Sequence, residues 1–239
     1  TVLGQQIKRR LREITGVGDP YRTAKDCHNR IALGFYPELK SRIKAAADPF
    51  VMAVQLAIAG NVIDLGAKHG LYEVDVFSSL QMALSETIIG DMERFRKIAT
   101  GARRILYLAD NAGEIVFDRL LIEQLSPERI TMAVRGAPVI NDATMADAQA
   151  VGLCEIVEVI DNGSDAPGTV LKDCSQQFQR RFAQADLVIA KGQGNFETLS
   201  AEEHNIFFLF KIKCPVISAH VGLPVGAHVV IQSGARYSV

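Results

Sequence analysis

Three segments in the second half of the chain gather carboxylate, amide and cationic side chains, and each directly follows a run of apolar residues. Their sequences are DNAGE at 110–114, RGAPVIND at 135–142 and KGQGNFE at 191–197. Carboxylate and amide oxygens, with room left for water, suit a hard divalent cation such as Mg²⁺ or Mn²⁺. Because the five histidines and four cysteines are dispersed along the chain, a metal site here would have to use oxygen ligands.

Two adjacent residues and one distant residue are the candidate metal ligands. Asp110 and Asn111 offer a carboxylate and an amide oxygen side by side, and Asp142 adds a second carboxylate from another segment. Each of them alone has an ordinary structural explanation, since Asp110 and Asn111 suit a polar turn and Asp142 suits a helix cap. Taken together, they favour a metal site.

The glycines of the third segment indicate a site for an anion. Gly192 and Gly194 allow backbone N–H groups to approach a ligand closely, and Lys191 could neutralise a phosphoryl oxygen. Arg135 is a second candidate phosphate ligand, although a surface ion pair would explain it equally well. The dinucleotide-binding fingerprint is incomplete because Glu197 occupies the position of its third glycine, and the chain contains no GxxxxGK[ST] motif.

A polar pair interrupts an apolar stretch in the first half of the chain. Asn61 and Asp64 are three residues apart, so in a helix they share a face. A buried carboxylate needs partners. Either the pair is satisfied inside the helical part, or it points into a polar cleft at the edge of a sheet. The second alternative would make the helical part a lid on the site.

The sequence pattern that indicates secondary structure changes near residue 101. After it, short apolar runs alternate with helical segments, which predicts an α/β fold with three α/β/α layers and a doubly wound, mostly parallel sheet. The predicted strands are 105–109, 129–135, 156–160, 187–190 and 216–219, with 229–232 as an added edge strand. Helices are predicted from 114 to 125, from about 142, and over 169–185. Ligands of such sheets bind beyond the carboxyl ends of the strands, where all three polar segments fall.

The first hundred residues show helical periodicity and few strand-like runs. Asp19-Pro20 and Asp48-Pro49 each predict a helix start, and residues 74–90 predict a helix with Ile88 on its apolar face. We therefore expect an N-terminal helical subdomain over residues 1–100. A Rossmann-like α/β domain over residues 101–239 would then carry the metal site.

Composition excludes several classes of protein. The 239 residues are 48% hydrophobic with a formal net charge of −1, which excludes a disordered segment and leaves no electrostatic footprint for nucleic acid or an anionic membrane. The most apolar stretch, 50–60, is too short to span a bilayer. The cysteines are predicted to be free thiols, and no targeting signal is present, so we expect a cytoplasmic location. What precedes Thr1 and the oligomeric state stay open.

Four short motifs resemble, in order and separation, those of the damage-control phosphatase family, also known as domain of unknown function 89 and as acidic-residue-methyltransferase-like proteins. They are Gly60–Asp64, Asp110–Glu114, Asn141–Thr144 and Lys191–Glu197. The resemblance extends over essentially the whole chain and is closest to the stand-alone prokaryotic branch. It implies an α/β/α sandwich with a helical N-terminal part.

The resemblance also implies a function, namely a metal-dependent phosphatase acting on small phosphorylated metabolites, often damaged or surplus ones. Asp110, Asn111 and Asp142 would bind a divalent Mg, Mn, Co or Ni ion, and catalysis would use them together with Lys191. The residues expected to contact substrate are Asn61, Asp64, Glu114, Arg135, Gly192 and Gly194.

The reaction path and two rival functions stay open at this point. Attack by water is favoured over an aspartyl-phosphate intermediate, because Asp110 is followed by Asn111 and Ala112 and not by the second aspartate of a DxD pair. One rival is an S-adenosylmethionine-dependent methyltransferase, for which the single glycine in 110–114 is a poor match. The other is a non-catalytic protein that binds a sugar phosphate or nucleotide. Neither the metabolite nor the metal can be identified from the sequence.

Overall fold

The computed structural model describes residues 2–60 and 80–234 of the chain. The strands are Ile88–Gly90 (β1), Ile105–Leu108 (β2), Ile130–Val134 (β3), Glu158–Asp161 (β4), Leu187–Lys191 (β5), Ile206–Lys211 (β6) and His228–Gln232 (β7). The α-helices before β2 are Val2–Thr15 (α1), Arg22–Ala45 (α2), Pro49–Ala59 (α3) and Met92–Gly101 (α4). Those after it are Glu114–Ile122 (α5), Met145–Ala150 (α6), Gln176–Gln184 (α7), Gly192–Leu199 (α8) and Pro215–Val221 (α9). Short 3₁₀ helices lie at Pro127–Arg129, Leu153–Glu155 and Leu171–Asp173.

The strands of the described residues form one seven-stranded sheet with the order β1-β7-β6-β5-β2-β3-β4. Neighbouring strands are parallel except β6 and β7, which are antiparallel. β2 lies between β5 and β3, so the loops that follow these three strands emerge side by side at one edge of the sheet. The predicted α/β class with a mostly parallel sheet is confirmed.

Helices cover both faces of the sheet. Successive side chains of a strand point to opposite faces, so each strand contributes to a core on either side. In β2, Ile105 and Tyr107 pack in a core with residues of α2, α3 and α5. Leu106 and Leu108 pack in a second core with residues of α7, α8 and α9. All four side chains are buried, which explains why β2 has a continuous apolar sequence. The result is the predicted three-layer arrangement.

Two predictions in the last third of the chain are wrong. Residues 216–219, predicted as a strand, lie in helix α9. Pro215 occupies the first turn of that helix, where its missing N–H costs nothing. A run of four residues with three apolar side chains and Ser218 is too short to distinguish strand from helix. The strand of this region is β6, which sequence reasoning missed. β7 was predicted at the edge, but it lies between β1 and β6.

The described residues before position 100 are mostly helical, as predicted, except at β1. Residues 88–90 form a strand that pairs with β7, and a Cβ on Gly90 would lie 2.0 Å from the carbonyl oxygen of Val230. Asp48 caps α3 by accepting a hydrogen bond from the backbone of Val51 at 3.1 Å, as predicted. After Asp19-Pro20, by contrast, α2 begins only at Arg22. The division into two domains stays a prediction, since β1 contributes to the shared sheet from before residue 100.

Other helix bounds differ from those predicted. The helix expected from about residue 142 begins at Met145, and the one expected over 169–185 begins at Gln176. The four cysteines are free thiols, as predicted. Asn61 and Asp64, and with them the predicted lid, lie outside the described residues. Within the described ranges, no helix is long and apolar enough to cross a membrane.

Candidate functional site

The loops after β2 and β3 are tied together by backbone hydrogen bonds that place the predicted ligands next to each other. The N–H of Ala112 donates to the carbonyl of Asn141 at 2.9 Å, and the N–H of Ala143 donates to the carbonyl of Asp110 at 2.8 Å. Asn111 and Asp142 consequently form an isolated antiparallel bridge. The structure therefore brings Asp110, Asn111 and Asp142 together at the carboxyl edge of the sheet.

Asp110 lies against the loop that follows β5. Its side chain is largely buried, and a Cβ on Gly192 would lie only 2.0 Å from its Oδ2. Gly192 also has a φ of +79°, which side-chain-bearing residues rarely adopt. Gly192 thus permits the close approach of the third polar segment to Asp110. Gly194 has a different neighbour, because a Cβ there would contact the backbone of Gly168 at 3.4 Å.

The amide of Asn111 is oriented by two acceptors. Its Nδ2 donates to Oδ2 of Asp110 at 2.9 Å and to Oε2 of Glu114 at 3.2 Å. Both of these bonds use the nitrogen, so the carbonyl oxygen Oδ1 takes no part in them. Asn111 can therefore offer an oxygen ligand beside the Asp110 carboxylate.

Arg135 is buried between the two candidate carboxylates, and the alternative of a surface ion pair is wrong. Its Nε donates to Oδ2 of Asp142 at 2.6 Å, and one terminal nitrogen lies 4.0 Å from Oδ1 of Asp110. The same terminal nitrogen donates to Oδ1 of Asn195 at 3.4 Å, and the second terminal nitrogen donates to the hydroxyl of Thr169 at 3.2 Å. Three hydrogen bonds thus hold the guanidinium, which places a positive charge beside both candidate carboxylates.

The electrostatics of the two carboxylates indicate a place for a cation. Burial and the nearby negative charges of Glu114 and Asp142 raise the pKa of Asp110 well above its ordinary range. Burial also raises the pKa of Asp142, and Arg135 opposes that rise. A divalent cation between them would offset both desolvation and repulsion.

The donor set fits such an ion only if the amide is included. No group of three or more His, Cys, Asp or Glu side chains among residues 2–60 and 80–234 could hold a metal. Asp110 and Asp142 supply two carboxylates, and Asn111 supplies the third oxygen. All three are hard ligands of the type used by Mg²⁺ and Mn²⁺.

Lys191 lies beneath this site with its ammonium group fully engaged. Its Nζ donates to the carbonyl of Ala57 at 2.6 Å, to Glu114 at 2.7 Å and to Asp118 at 2.6 Å. Burial alone would lower the pKa of Lys191, but the two carboxylates raise it above its ordinary value. An ammonium has three protons and all are used here, so the geometry makes Lys191 a support for Glu114, which in turn orients Asn111.

Sequence reasoning missed several buried polar residues of this region. Asp118 accepts from Lys191 and, at 2.8 Å, from the hydroxyl of Tyr107. Burial raises the pKa of Asp118 to about 6, against the opposing effect of Lys191. Asp118 had a signal, because it lies four residues after Glu114 and so on the same face of an apolar helix. Asn195 donates to the carbonyls of Lys191 at 2.7 Å and Ala109 at 3.2 Å, and only its place in the third segment pointed to it.

Known proteins resemble this chain in sequence and in fold. Residues 1–229 match the family model of the damage-control phosphatase ARMT1-like domain. A damage-control phosphatase of Archaeoglobus fulgidus is 36% identical over 94% of this chain and 79% of its own length. One of Pyrococcus horikoshii is 36% identical over 97% of this chain and 81% of its own length. The crystal structure of a DUF89 family protein from Pyrococcus horikoshii superimposes with a TM-score of 0.85 at 35% identity, covering 96% of this chain and 80% of that one.

Proposed function

Because this chain belongs to the family of damage-control phosphatase ARMT1-like domains, we propose that it is a metal-dependent phosphatase that hydrolyses phosphomonoesters of small phosphorylated metabolites. The names of its archaeal relatives support a phosphatase. The observation that carries the metal dependence is the pairing of Asp110 and Asn111 with Asp142 across the two loops. Two buried carboxylates and an amide oxygen would hold Mg²⁺, Mn²⁺, Co²⁺ or Ni²⁺ at the carboxyl edge of the sheet.

The cation, when bound, would supply a positive charge that polarises the phosphoryl group and offsets the negative charge of the transition state. Arg135 keeps the Asp142 carboxylate in place through its 2.6 Å hydrogen bond. Glu114 and Lys191 keep the Asn111 amide in place. We propose that Lys191 acts by positioning, since its three donors are occupied, and that Arg135 and the backbone of Gly192 lie close enough to contact a phosphoryl oxygen.

In the proposed hydrolysis, the oxygen of a water molecule forms a bond to phosphorus while the bond between phosphorus and the metabolite oxygen breaks. The water releases a proton and the departing oxygen acquires one, so that the products are the free alcohol and inorganic phosphate. Direct attack by water remains our preferred path. Gly194, Asn61 and Asp64 stay proposed substrate contacts.

The methyltransferase alternative gains no support from the loop that would carry its cofactor. Helix α2 covers that loop at Gly113, where a Cβ would lie 2.9 Å from Cβ of His28. Its N–H is also already bonded to Asn29 at 2.7 Å. A cytoplasmic location and a small phosphorylated metabolite as partner, without nucleic acid or membrane, stay part of the proposal.

The test is a phosphatase assay on the chelator-treated protein. A panel of phosphorylated metabolites is offered with Mg²⁺, Mn²⁺, Co²⁺ or Ni²⁺ added singly, and released inorganic phosphate is measured. We expect turnover that depends on the added ion and is lost again with chelator. Turnover that is equal with and without metal would contradict the metal dependence, and the absence of phosphate release from every substrate would contradict the phosphatase.

A further inference from the structure

Helix α2 presents two buried polar side chains to the loops that carry the candidate ligands. Lys25 is 0% exposed and Asn29 is 3% exposed, and they lie one helical turn apart on the same face. The proposed chemistry does not use either of them. Burying an ammonium and an amide is costly unless their hydrogen bonds are made. The hydrogen-bond partners of Lys25 and Asn29 therefore indicate what these two residues do.

Asn29 bridges the two loops with a single amide. Its Oδ1 accepts from the backbone N–H of Gly113 at 2.7 Å, and its Nδ2 donates to Oδ1 of Asp147 at 3.0 Å. Gly113 follows Asn111 by two residues, and Asp147 lies in the first turn of α6, directly after the Asp142 loop. One side chain therefore links the segment of Asp110 and Asn111 to that of Asp142, in addition to the backbone hydrogen bonds that join the two loops directly.

Asp147 is itself fixed, so the bridge is anchored at its far end. Its Oδ2 accepts from the backbone of Thr144 at 2.9 Å and lies 2.8 Å from Nζ of Lys25. Its Oδ1 also lies 2.6 Å from a guanidinium nitrogen of Arg22. Burial would raise the pKa of Asp147, but Lys25 and Thr144 lower it below its ordinary value. The carboxylate therefore stays charged and held to α2.

We propose that Asn29, anchored through Asp147 to Lys25, is a positioning residue that works with the backbone hydrogen bonds between the two loops to hold Asp110–Asn111 at its spacing from Asp142. This inference rests on the proposed function, because the spacing concerns the ligands of the divalent cation. Outer-shell partners of metal ligands are worth about 10–100-fold in metal affinity or activity. Asn29 acts one step further out, through the backbone of the ligand loops.

The matched pair of variants is Asn29→Ala and Asn205→Ala. The Asn205 amide makes the same kind of bridge at the opposite edge of the sheet, donating to the carbonyl of Asp186 at 3.0 Å and accepting from Gln232 at 2.9 Å. The dissociation constant for Mn²⁺ is measured by electron paramagnetic resonance titration. Amide hydrogen exchange is measured on the metal-free proteins. We expect Asn29→Ala to bind Mn²⁺ about tenfold more weakly and to exchange faster at 110–114 and 142–147, while Asn205→Ala matches the parent in both.

Unchanged Mn²⁺ affinity and unchanged exchange at 110–114 in Asn29→Ala would overturn the inference. If the parent neither binds Mn²⁺ nor releases phosphate, yet exchange in Asn29→Ala rises at both loops, the positioning stands and the proposed function fails. Asn29→Leu covers the case in which Asn29→Ala does not fold, because its side chain is close in shape to that of asparagine, leaves no cavity, and removes both hydrogen bonds. It should show the same faster exchange and weaker Mn²⁺ binding as Asn29→Ala; parent-like affinity and exchange in that variant would also overturn the inference.

Discussion

The two edges of the sheet differ in how deeply their charged residues are buried. At the amino edge, an open cleft of about 500 Å³ is lined by arginines and glutamates, among them Arg103, Arg104 and Arg181. There, a terminal nitrogen of Arg181 lies 2.6 Å from Oε1 of Glu158, and the two side chains are 42% and 47% exposed. At the carboxyl edge, Arg135 and Lys191 are 2% and 0% exposed and pair with carboxylates from other elements.

In the part of the chain that the structure describes, cavity size and buried charge single out different edges of the sheet. One cavity at the carboxyl edge, between α1 and residues 138–140, measures about 230 Å³, less than half the size of the amino-edge cleft, and none of the candidate ligands lines it. Exposed ion pairs contribute little, whereas buried charges are costly unless they are paired. A protein that buries several charges at one edge therefore points to chemistry at that edge.

The largest effect should come from removing a candidate ligand. Asp142→Asn keeps the size of the side chain but removes a charge from the cation site, so we expect loss of Mn²⁺ binding. We also expect a loss of kcat/KM greater than the about 100-fold upper range for an outer-shell partner. The amino-edge control is Asp186→Asn, whose carboxylate accepts from the backbone of Arg103 at 3.1 Å and Arg104 at 2.9 Å. It should keep kcat/KM within about twofold, since surface substitutions rarely act on distant chemistry. Equal activities in the two folded variants would remove the distinction between the edges.

The free energy of unfolding distinguishes the buried cation Lys191 from the exposed cation Arg181. Lys191→Met leaves Glu114 and Asp118 buried without their shared partner, which should lower the free energy of unfolding by about 3–5 kcal/mol. Arg181→Met breaks only the exposed pair with Glu158 and should cost about 0–1 kcal/mol. Urea denaturation of both variants checks this, and a cost for Lys191→Met below about 1 kcal/mol would show that the carboxylates find other partners.

Two glycines with left-handed backbone test whether the close approach to Asp110 matters. Gly192→Ala brings a Cβ to 2.0 Å from Asp110, whereas a Cβ on Gly234, at a φ of +72° at the amino edge, meets nothing within 4 Å. In both variants the left-handed conformation lowers the free energy of unfolding by about 1–2 kcal/mol. Displacing a catalytic group by about 1 Å can cost on the order of 100-fold in rate, so only Gly192→Ala should lose kcat. A kcat in Gly192→Ala that equals that of Gly234→Ala would show that Asp110 tolerates the displacement.

Much of the fold could be predicted because its strands carry a strong local signal. β2, β3 and β5 are largely buried on both faces, so each appears as a mainly apolar run, interrupted in β3 only by Thr131 and ending in β5 at Lys191. β1 could not be found in this way, because three half-buried residues pair with a strand some 140 positions later. β6 did carry a signal in its aromatic run Ile206–Phe210, and the competing apolar run after Pro215 was assigned in its place.

The sequence predicted which residues of the candidate site lie together better than it predicted the contacts between them. Topology places the ends of β2, β3 and β5 at one edge, which was enough to group Asp110, Asn111, Asp142 and Arg135. The partners of Lys191 depend on contacts with Ala57 and Asp118, which are 134 and 73 positions away. No local pattern specifies such contacts, so the sequence suggested a phosphate ligand at Lys191, whereas the structure places its ammonium group on three protein acceptors.

The smallest effect concerns Asp165, the carboxyl-edge counterpart of Asp186. Burial opposes ionisation, yet hydrogen bonds from Arg9, Gln5 and Arg12 on α1 lower the pKa of Asp165 to about 2. Because this value lies below the unfolded value of about 3.9, the group stabilises the fold fully above about pH 5 and loses that contribution as the pH falls towards 2. Arg9 is half exposed, so solvent screening should limit the contribution at pH 7 to about 1 kcal/mol.

Urea denaturation of the parent and of Asp165→Asn at pH 7 and at pH 3.5 measures that contribution. The difference between the two proteins should be clear at pH 7 and smaller at pH 3.5, because below about pH 3.9 the carboxyl of the unfolded parent becomes protonated, which favours unfolding of the parent. Asp186→Asn should show a smaller difference at pH 7, since its exposed carboxylate is more strongly screened. A pH-independent difference for Asp165→Asn would mean that α1 is held by the shape of the side chain and not by its charge.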